Sequence, residues 1–236
     1  MKILIIIGSD VYARRVIKCI EALIRFGEEI SIKGILDNNE EKNDVKGYKI
    51  LDKIDNANLY NDEDTSFIIA IKNNKTRQEI ADKFQEFDYY TVIHPKTHIG
   101  ENVSIGKGSI IMDEVNIKDN TKIGNHVIIN HGCIIDENVI VEDYVNLLQS
   151  SSLGKLVKLD SLTSIGKDVL VIPKICIGKK SIIKNSSIVI EDVGDNCIME
   201  GTPAKIIKKL YSLNIPIEKI SEITEMCIED VQKIVK

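Results

Sequence analysis

The sequence predicts a small parallel α/β domain followed by an all-β left-handed parallel β-helix with short C-terminal helices, and two observations carry that reading. Over the first 92 residues β-branched runs alternate with stretches at helical spacing. From Ile93 onward the period changes to six and stays there until Val189. Alternating strands and helices imply a parallel sheet covered by helices. A fixed short repeat implies stacked coils, each too small to bury its own apolar face.

In the first domain, residues 1–92, the run Lys2 to Ile7 is continuous and β-branched, as expected of a strand covered on both faces. Val11 to Phe26 carries Val16, Ile20, Leu23 and Ile24 at helical spacing, and Gly27 offers a stop. Ile30 to Leu36 is a second strand ending in the polar turn Asp37-Asn38-Asn39. Ser66 to Ile71 is a third strand and Lys75 to Phe87 a second amphipathic helix.

The second domain, residues 93–203, places an aliphatic residue at every sixth position: Ile93, Ile99, Ile105, Ile111 and so on through Ile177, Ile183 and Val189. Four residues after each stands a small or β-branched residue, as in Thr97, Val115, Cys133 and Ser151. Three hexads make one triangular coil. The aliphatic side chain points inward and stacks on its equivalent one coil away, at the spacing of neighbouring strands. The left-handed path departs from the usual crossover rule, and the hexad is the signature of that exception. Such a prism ends in open sheet edges. The α/β domain is expected to cover one end, and the tail, residues 204–236, to cover the other or pack alongside. Ala204 to Leu213 and Pro216 to Val235 read as short helices, the second with Ile217, Ile220, Ile223, Val231 and Ile234 at near-helical spacing.

Composition narrows the classes of function. A net charge of -5, from 31 basic and 36 acidic residues, argues against a nucleic-acid partner, which needs clustered cations. The apolar stretch at the start is too short for a membrane span or signal peptide. Five scattered cysteines without a CxxC pair fit a cytoplasmic protein with reduced thiols, and no metal site is expected.

The two-part chain resembles bacterial sugar acyltransferases of the sialic acid O-acetyltransferase type, which include N-acetyltransferases acting on UDP-linked amino sugars. The resemblance is carried by Gly34-Ile-Leu-Asp-Asn-Asn39, Ala70-Ile-Lys-Asn-Asn-Lys-Thr-Arg77, Ile93-His-Pro95 and the exit Glu200-Gly-Thr-Pro-Ala-Lys205. It implies acetyl-CoA or another acyl-CoA as co-substrate, a homotrimer with its sites between subunits, and a small-molecule amino sugar or nucleotide sugar as acceptor. It also implies nucleotide-sugar contacts at Gly8, Ser9, Tyr12, Asp37, Asn38 and Asn73. Cofactor contacts would fall at Gly154, Gly166 and Lys205, with the backbone N–H of Gly154 facing the thioester carbonyl.

Two departures from that family bear on chemistry. The Gly-rich loop after the first strand reads Gly8-Ser-Asp-Val-Tyr-Ala-Arg14, with Tyr12 where the loop His stands. In Asn130-His-Gly-Cys-Ile-Ile-Asp-Glu-Asn138, Glu137 replaces the His base, and Asn146 replaces a second His. The expected catalytic group is therefore Glu137, with His131 and Asn146 as neighbours. A sugar amine is already a competent nucleophile near neutral pH and asks less of its base than a hydroxyl does. That difference favours N- over O-acylation. A sugar O-acetyltransferase and a non-catalytic trimeric scaffold are the alternatives. Leu148, Leu156 and Leu162 are expected to face outward, as trimer contacts or as the wall of an acyl-CoA cleft, with trimer packing the preferred reading.

Overall fold

The computed structural model describes residues 1–39, 43–207, 214–224 and 228–235. The N-terminal domain is a five-stranded sheet of order β3-β4-β2-β1-β5. Its strands are β1 (Lys2–Ile7), β2 (Ile30–Leu36), β3 (Asp44–Val45), β4 (Tyr48–Asp52) and β5 (Thr65–Ile69). Helix α1 (Val11–Arg25) and helix α2 (Asn74–Lys83) cover opposite faces. The unbroken apolar run of β1 follows from this: Leu4 and Ile6 pack with the α1 side, Ile5 and Ile7 with the α2 side. The short pair β3 and β4 is antiparallel and was not foreseen in the sequence pattern.

From Val92 the chain runs through seventeen two-residue strands, β6 (Val92–Ile93) to β22 (Ile188–Val189). They form three parallel sheets whose partners lie eighteen residues apart, as in Ile117↔Ile135 and Ile123↔Val141. The inward residues Ile111, Ile129, Leu147 and Ile165 are fully buried in one axial core. The residue three places after each inward position is in the left-handed region, at each sixth position from Asn102 to Ser186. The glycines that follow inward residues have a different cause. A Cβ on Gly154 would lie 2.7 Å from the nitrogen of Pro173, and one on Gly166 would lie 2.6 Å from that of Asn185. The next coil passes too close for a side chain.

Two expectations are corrected here. The α/β domain does not close an end of the prism. It lies along one flank, where Val92, Ile110, Met112 and Ile128 join the core of the α1 layer. The entrance end is left with Ile99 40% exposed. The tail after Pro203 does not begin as a helix: β23 (Ile198–Gly201) turns back into an antiparallel strand, β24 (Ala204–Ile206). The rest of that expected helix, 208–213, lies outside the described residues. Helices at Ile217–Thr224 and Ile228–Val235 follow, and Ile220 and Val231 pack on Ile207. The side chains of Ile223 and Ile234 lie outside the described residues.

The domains are pinned together by Arg77, which is fully buried. Its Nε donates to the His126 carbonyl at 2.8 Å, and Nη1 donates to the carbonyls of Ile71 and Lys72 at 2.9 and 3.2 Å. Nη2 donates to the Tyr144 carbonyl at 3.1 Å and the Asn146 side-chain oxygen at 2.8 Å. Burial lowers its pKa to about 10, so it stays charged at neutral pH. Asn74 adds bonds to the Leu162 carbonyl at 2.6 Å and to Ser164 at 3.2 Å.

Candidate functional site

A prism has three edges, and they differ in chemistry. Along the first edge, in turns after β6, β9 (Ile110–Ile111), β12 (Ile128–Ile129), β15 (Asn146–Leu147) and β18 (Ser164–Ile165), stand His94, Asp113, His131, Gln149 and Lys167. Helix α1 runs beside this edge. Between them lies a groove of about 670 Å³ that includes Arg15, Lys18, Arg25, His94, Asp113 and His131 in its wall. A smaller cavity of about 210 Å³ shares Arg15, Asn130 and Gln149 with it and reaches Val11, Tyr12, Lys72 and Lys167. The two form one trough.

Cations outnumber acids along it. Lys46 is paired with Glu21, and the smaller cavity brings Arg15, Lys72 and Lys167 to the start of α1. Tyr12 is 7% exposed, and its hydroxyl has no hydrogen-bond partner among the described residues. Desolvation raises its pKa well above the usual tyrosine range, so it remains a neutral donor. A helix N-terminus with adjacent cations suits an anionic group such as phosphate. In an open α/β sheet, ligands bind outside the carboxyl ends of the strands. The smaller cavity meets that rule at Lys72, beyond β5.

Gly8 and Ser9 follow β1, Asp37 and Asn38 follow β2, and Asn73 follows β5, so these expected contacts share that carboxyl edge. Most already hold the loops. The Asp37 carboxylate accepts from the N–H groups of Ser9 at 2.5 Å and Asn39 at 2.7 Å. Asn38 accepts from Ile54 at 2.9 Å, and Asn73 caps α2 by accepting from Thr76 at 3.0 Å. Gly8 has φ +105, and a Cβ there would lie 2.7 Å from Ile71.

The expected catalytic group does not assemble within one chain. His131 lies on the first edge and Glu137 on the second, in the turn after β13 (Ile134–Ile135). Glu137 lies 2.6 Å from the Lys155 Nζ, and neither part of the trough includes it. Asn146 is 5% exposed and faces the α/β domain: it accepts from Arg77 and donates to the Lys72 carbonyl at 2.8 Å. It therefore holds two domains together rather than standing beside Glu137. The Gly154 N–H donates to the Val171 carbonyl at 2.9 Å, and that of Gly166 to Ile183 at 2.8 Å, so neither is available to a thioester oxygen. Lys205 sits in β24. Among the three leucines, Leu162 is buried inside the chain, Leu148 lines the smaller cavity, and Leu156 alone is largely exposed.

What the structure does bring together is His131 and Asp113, with Nδ1 and Oδ2 3.1 Å apart. Asp113 was missed in the sequence, although a signal was there. It stands eighteen residues before His131, one coil away and directly beneath it. Among the described residues no cluster could hold a metal ion, and no helix is long and apolar enough to cross a membrane.

An α/β domain docked on a left-handed hexapeptide β-helix is the architecture of the hexapeptide-repeat sugar acyltransferases, and comparison with known proteins bears this out. Residues 3–84 match the PglD N-terminal domain family. The acetyltransferase domain of PglB from Neisseria gonorrhoeae, solved alone and with acetyl coenzyme A, superimposes with a TM-score of 0.81; the unliganded form is 20% identical and aligns over 87% of this chain and 100% of that one. WeeI from Acinetobacter baumannii aligns over 87% of this chain and 100% of its own with a TM-score of 0.78 at 20% identity. At those identities the likeness is one of fold. Perosamine N-acetyltransferase from Caulobacter crescentus, solved with CoA and GDP-perosamine, is 26% identical over 86% of this chain and 95% of its own, with a TM-score of 0.70. An inferred acetyltransferase of Saccharomyces cerevisiae is 35% identical over 68 residues, and the matched stretch spans 29% of this chain and 35% of the yeast protein.

Proposed function

We propose that the chain is an acyl-CoA-dependent N-acyltransferase of a nucleotide-linked amino sugar, acting as a cytoplasmic homotrimer. The observation that carries this reading is the trough. Its smaller end offers the start of α1, Arg15, Lys72 and Lys167 to a diphosphate. Its larger end leads a sugar so anchored to the His131 edge of the β-helix. The perosamine N-acetyltransferase, with its CoA and GDP-perosamine, supports the choice of an amine acceptor and an acyl-CoA donor. Acyl-CoA is assigned to the cleft between neighbouring prisms, where the edge of Gly154 and Lys155 on one chain would face the edge of His131 and Gly166 on the next, with Lys205 at the exit strand. Gly154 and Gly166 serve there by keeping the surface flat. The N-acyl reading is preferred to O-acylation on the amine acceptor of the perosamine enzyme, the more similar in sequence of the solved sugar acetyltransferases above.

The test is release of free CoA thiol from acetyl-CoA in the presence of UDP- and GDP-linked amino sugars, set beside the corresponding hydroxy sugars. Turnover with an amino sugar is expected, and acetyl-CoA alone should raise the thermal midpoint of the protein. A chain that binds no acetyl-CoA and turns over none of these acceptors is a scaffold, and the proposal fails.

A further inference from the structure

We propose that His131, held by Asp113, is the base that removes the proton from the attacking amine, and that Glu137 is not. The inference rests on the acyltransferase reading above and deepens it. His131 is half exposed in the wall of the larger groove. Its Nδ1 lies 3.1 Å from Asp113 Oδ2, a pairing that keeps a proton on Nδ1 and leaves the lone pair on Nε2. Glu114 Oε2 stands 3.5 Å from Nε2, at the outer limit of a hydrogen bond, and its side chain is 63% exposed, so it can swing aside and yield that nitrogen to a ligand. Glu137 has none of these properties. It sits one edge away, outside the trough, with its carboxylate 2.6 Å from the Lys155 ammonium. An imidazole is matched to proton transfer near neutral pH, whereas a lysine-paired surface carboxylate is a weak base there.

The step is simple to balance. The amine nitrogen forms its bond to the thioester carbonyl carbon, and the C–S bond breaks to release CoA thiolate. The proton lost from nitrogen passes to His131 Nε2 and from there to the departing sulfur, so imidazole is regenerated. Asp113 acts through His131 as a positioning residue. The charged and titratable groups facing His131 are Asp113 and Glu114 beneath it, His94 on the same edge, Arg15, Lys18, Cys19, Glu21 and Arg25 on α1, and Lys46.

The experiment is steady-state kinetics of the full chain with acetyl-CoA and the amino sugar that the wild type accepts. His131→Asn should lower kcat by at least about 100-fold with little change in either KM, the usual range for a lost general base. Added imidazole should restore part of the activity of His131→Ala, a rescue that a merely structural role would not allow. Asp113→Asn should lower kcat with little change in either KM, and Asp113→Glu, which keeps the carboxylate, should restore part of it. Glu137→Gln should stay within about three-fold of wild type. A large loss in Glu137→Gln with near-normal His131→Asn overturns the inference and leaves the acyltransferase reading standing, as do comparable losses in both. A wild type that turns over no amino sugar overturns both together.

Discussion

The axial core of the β-helix and the flank that carries the α/β domain are built by opposite rules. Inside, one pattern repeats: Ile111, Ile129, Leu147 and Ile165 occupy equivalent places, and each has the same kind of neighbour above and below. On the flank nothing repeats. Ile110 and Ile128 are buried against α1, and the next two equivalent positions are Asn146, bonded to Arg77, and Ser164, bonded to Asn74. Repetition makes the core tolerant of exchange among aliphatic residues and intolerant of charge. The flank gathers its specificity into one cation. The lesson is that a periodic scaffold acquires a unique partner only where its period is broken.

The strongest way to break the core is to put a charge in it. Ile129→Asp or Ile165→Asp should abolish folding, since an unpaired inward carboxylate costs several kcal/mol, on the order of the whole stability of a domain. Soluble yield and circular dichroism check this; a folded Ile129→Asp protein would mean that the inward register is wrong.

On the flank the corresponding change is Arg77→Met. It takes the guanidinium donor from the Asn146 amide oxygen and from the carbonyls of His126, Ile71 and Tyr144, while the Lys72 carbonyl keeps the Asn146 amide. Removing one side of so buried a polar cluster costs about 3–5 kcal/mol. The loss should be local, with the α/β domain protected less while the coils stay intact. Hydrogen exchange resolves the two regions, and uniform loss across both would refute the separation drawn here.

A smaller effect comes from the seam between the two regions, where His126 is 2% exposed and stacks on Tyr144. Desolvation, with help from Arg77, lowers its pKa to about 4. An imidazole with a depressed pKa binds its proton more readily when the chain is unfolded, so stability rises with pH between about 4 and 6.5. Acidification through that window should cost on the order of 2–3 kcal/mol. His94, also lowered by desolvation, adds in the same sense. Chemical denaturation at successive pH values should show the slope, and His126→Asn should flatten it. An unchanged slope would place the buried neutral imidazole elsewhere.

How legible was each region in the sequence? The coils were, because a period of six predicts both the inward residues and the eighteen-residue stacking seen in the strand register. The docking flank was not. Apolar doublets mark it at Ile110-Ile111 and Ile128-Ile129, but Ile134-Ile135 and Leu170-Val171 are also doublets, and Ile134 and Leu170 are exposed. Nothing local distinguishes a covered face from an open one, so the α/β domain was expected at an end. Strands β3 and β4 were missed because two and five residues carry little periodicity. Family correspondence pointed at Glu137 and Asn146 for the site, but it cannot see that Lys155 and Arg77 engage them. Asp113 was missed, although the coil period places it one coil beneath His131.

The smallest predicted effect sharpens the comparison at the second edge, where the period persists but its residue is unusual. Leu156 sits in the left-handed region at φ 64 and is 47% exposed. The equivalent places one, two and three coils earlier hold Asn138, Asn120 and Asn102. Asparagine tolerates that conformation, and a γ-branched apolar residue there is strained by about 1 kcal/mol. In an isolated chain Leu156→Asn should therefore raise stability by about 0.5–1 kcal/mol. In a trimer that buries Leu156 between prisms, the same change removes apolar contact worth about 1.5–3 kcal/mol per chain and should loosen the assembly. The sign of the change in thermal midpoint, with sedimentation equilibrium alongside, separates the two cases. A homotrimer predicts a lower midpoint that depends on concentration. A higher, concentration-independent midpoint would remove Leu156 from the interface and leave its strain to be explained by a bound ligand along that edge.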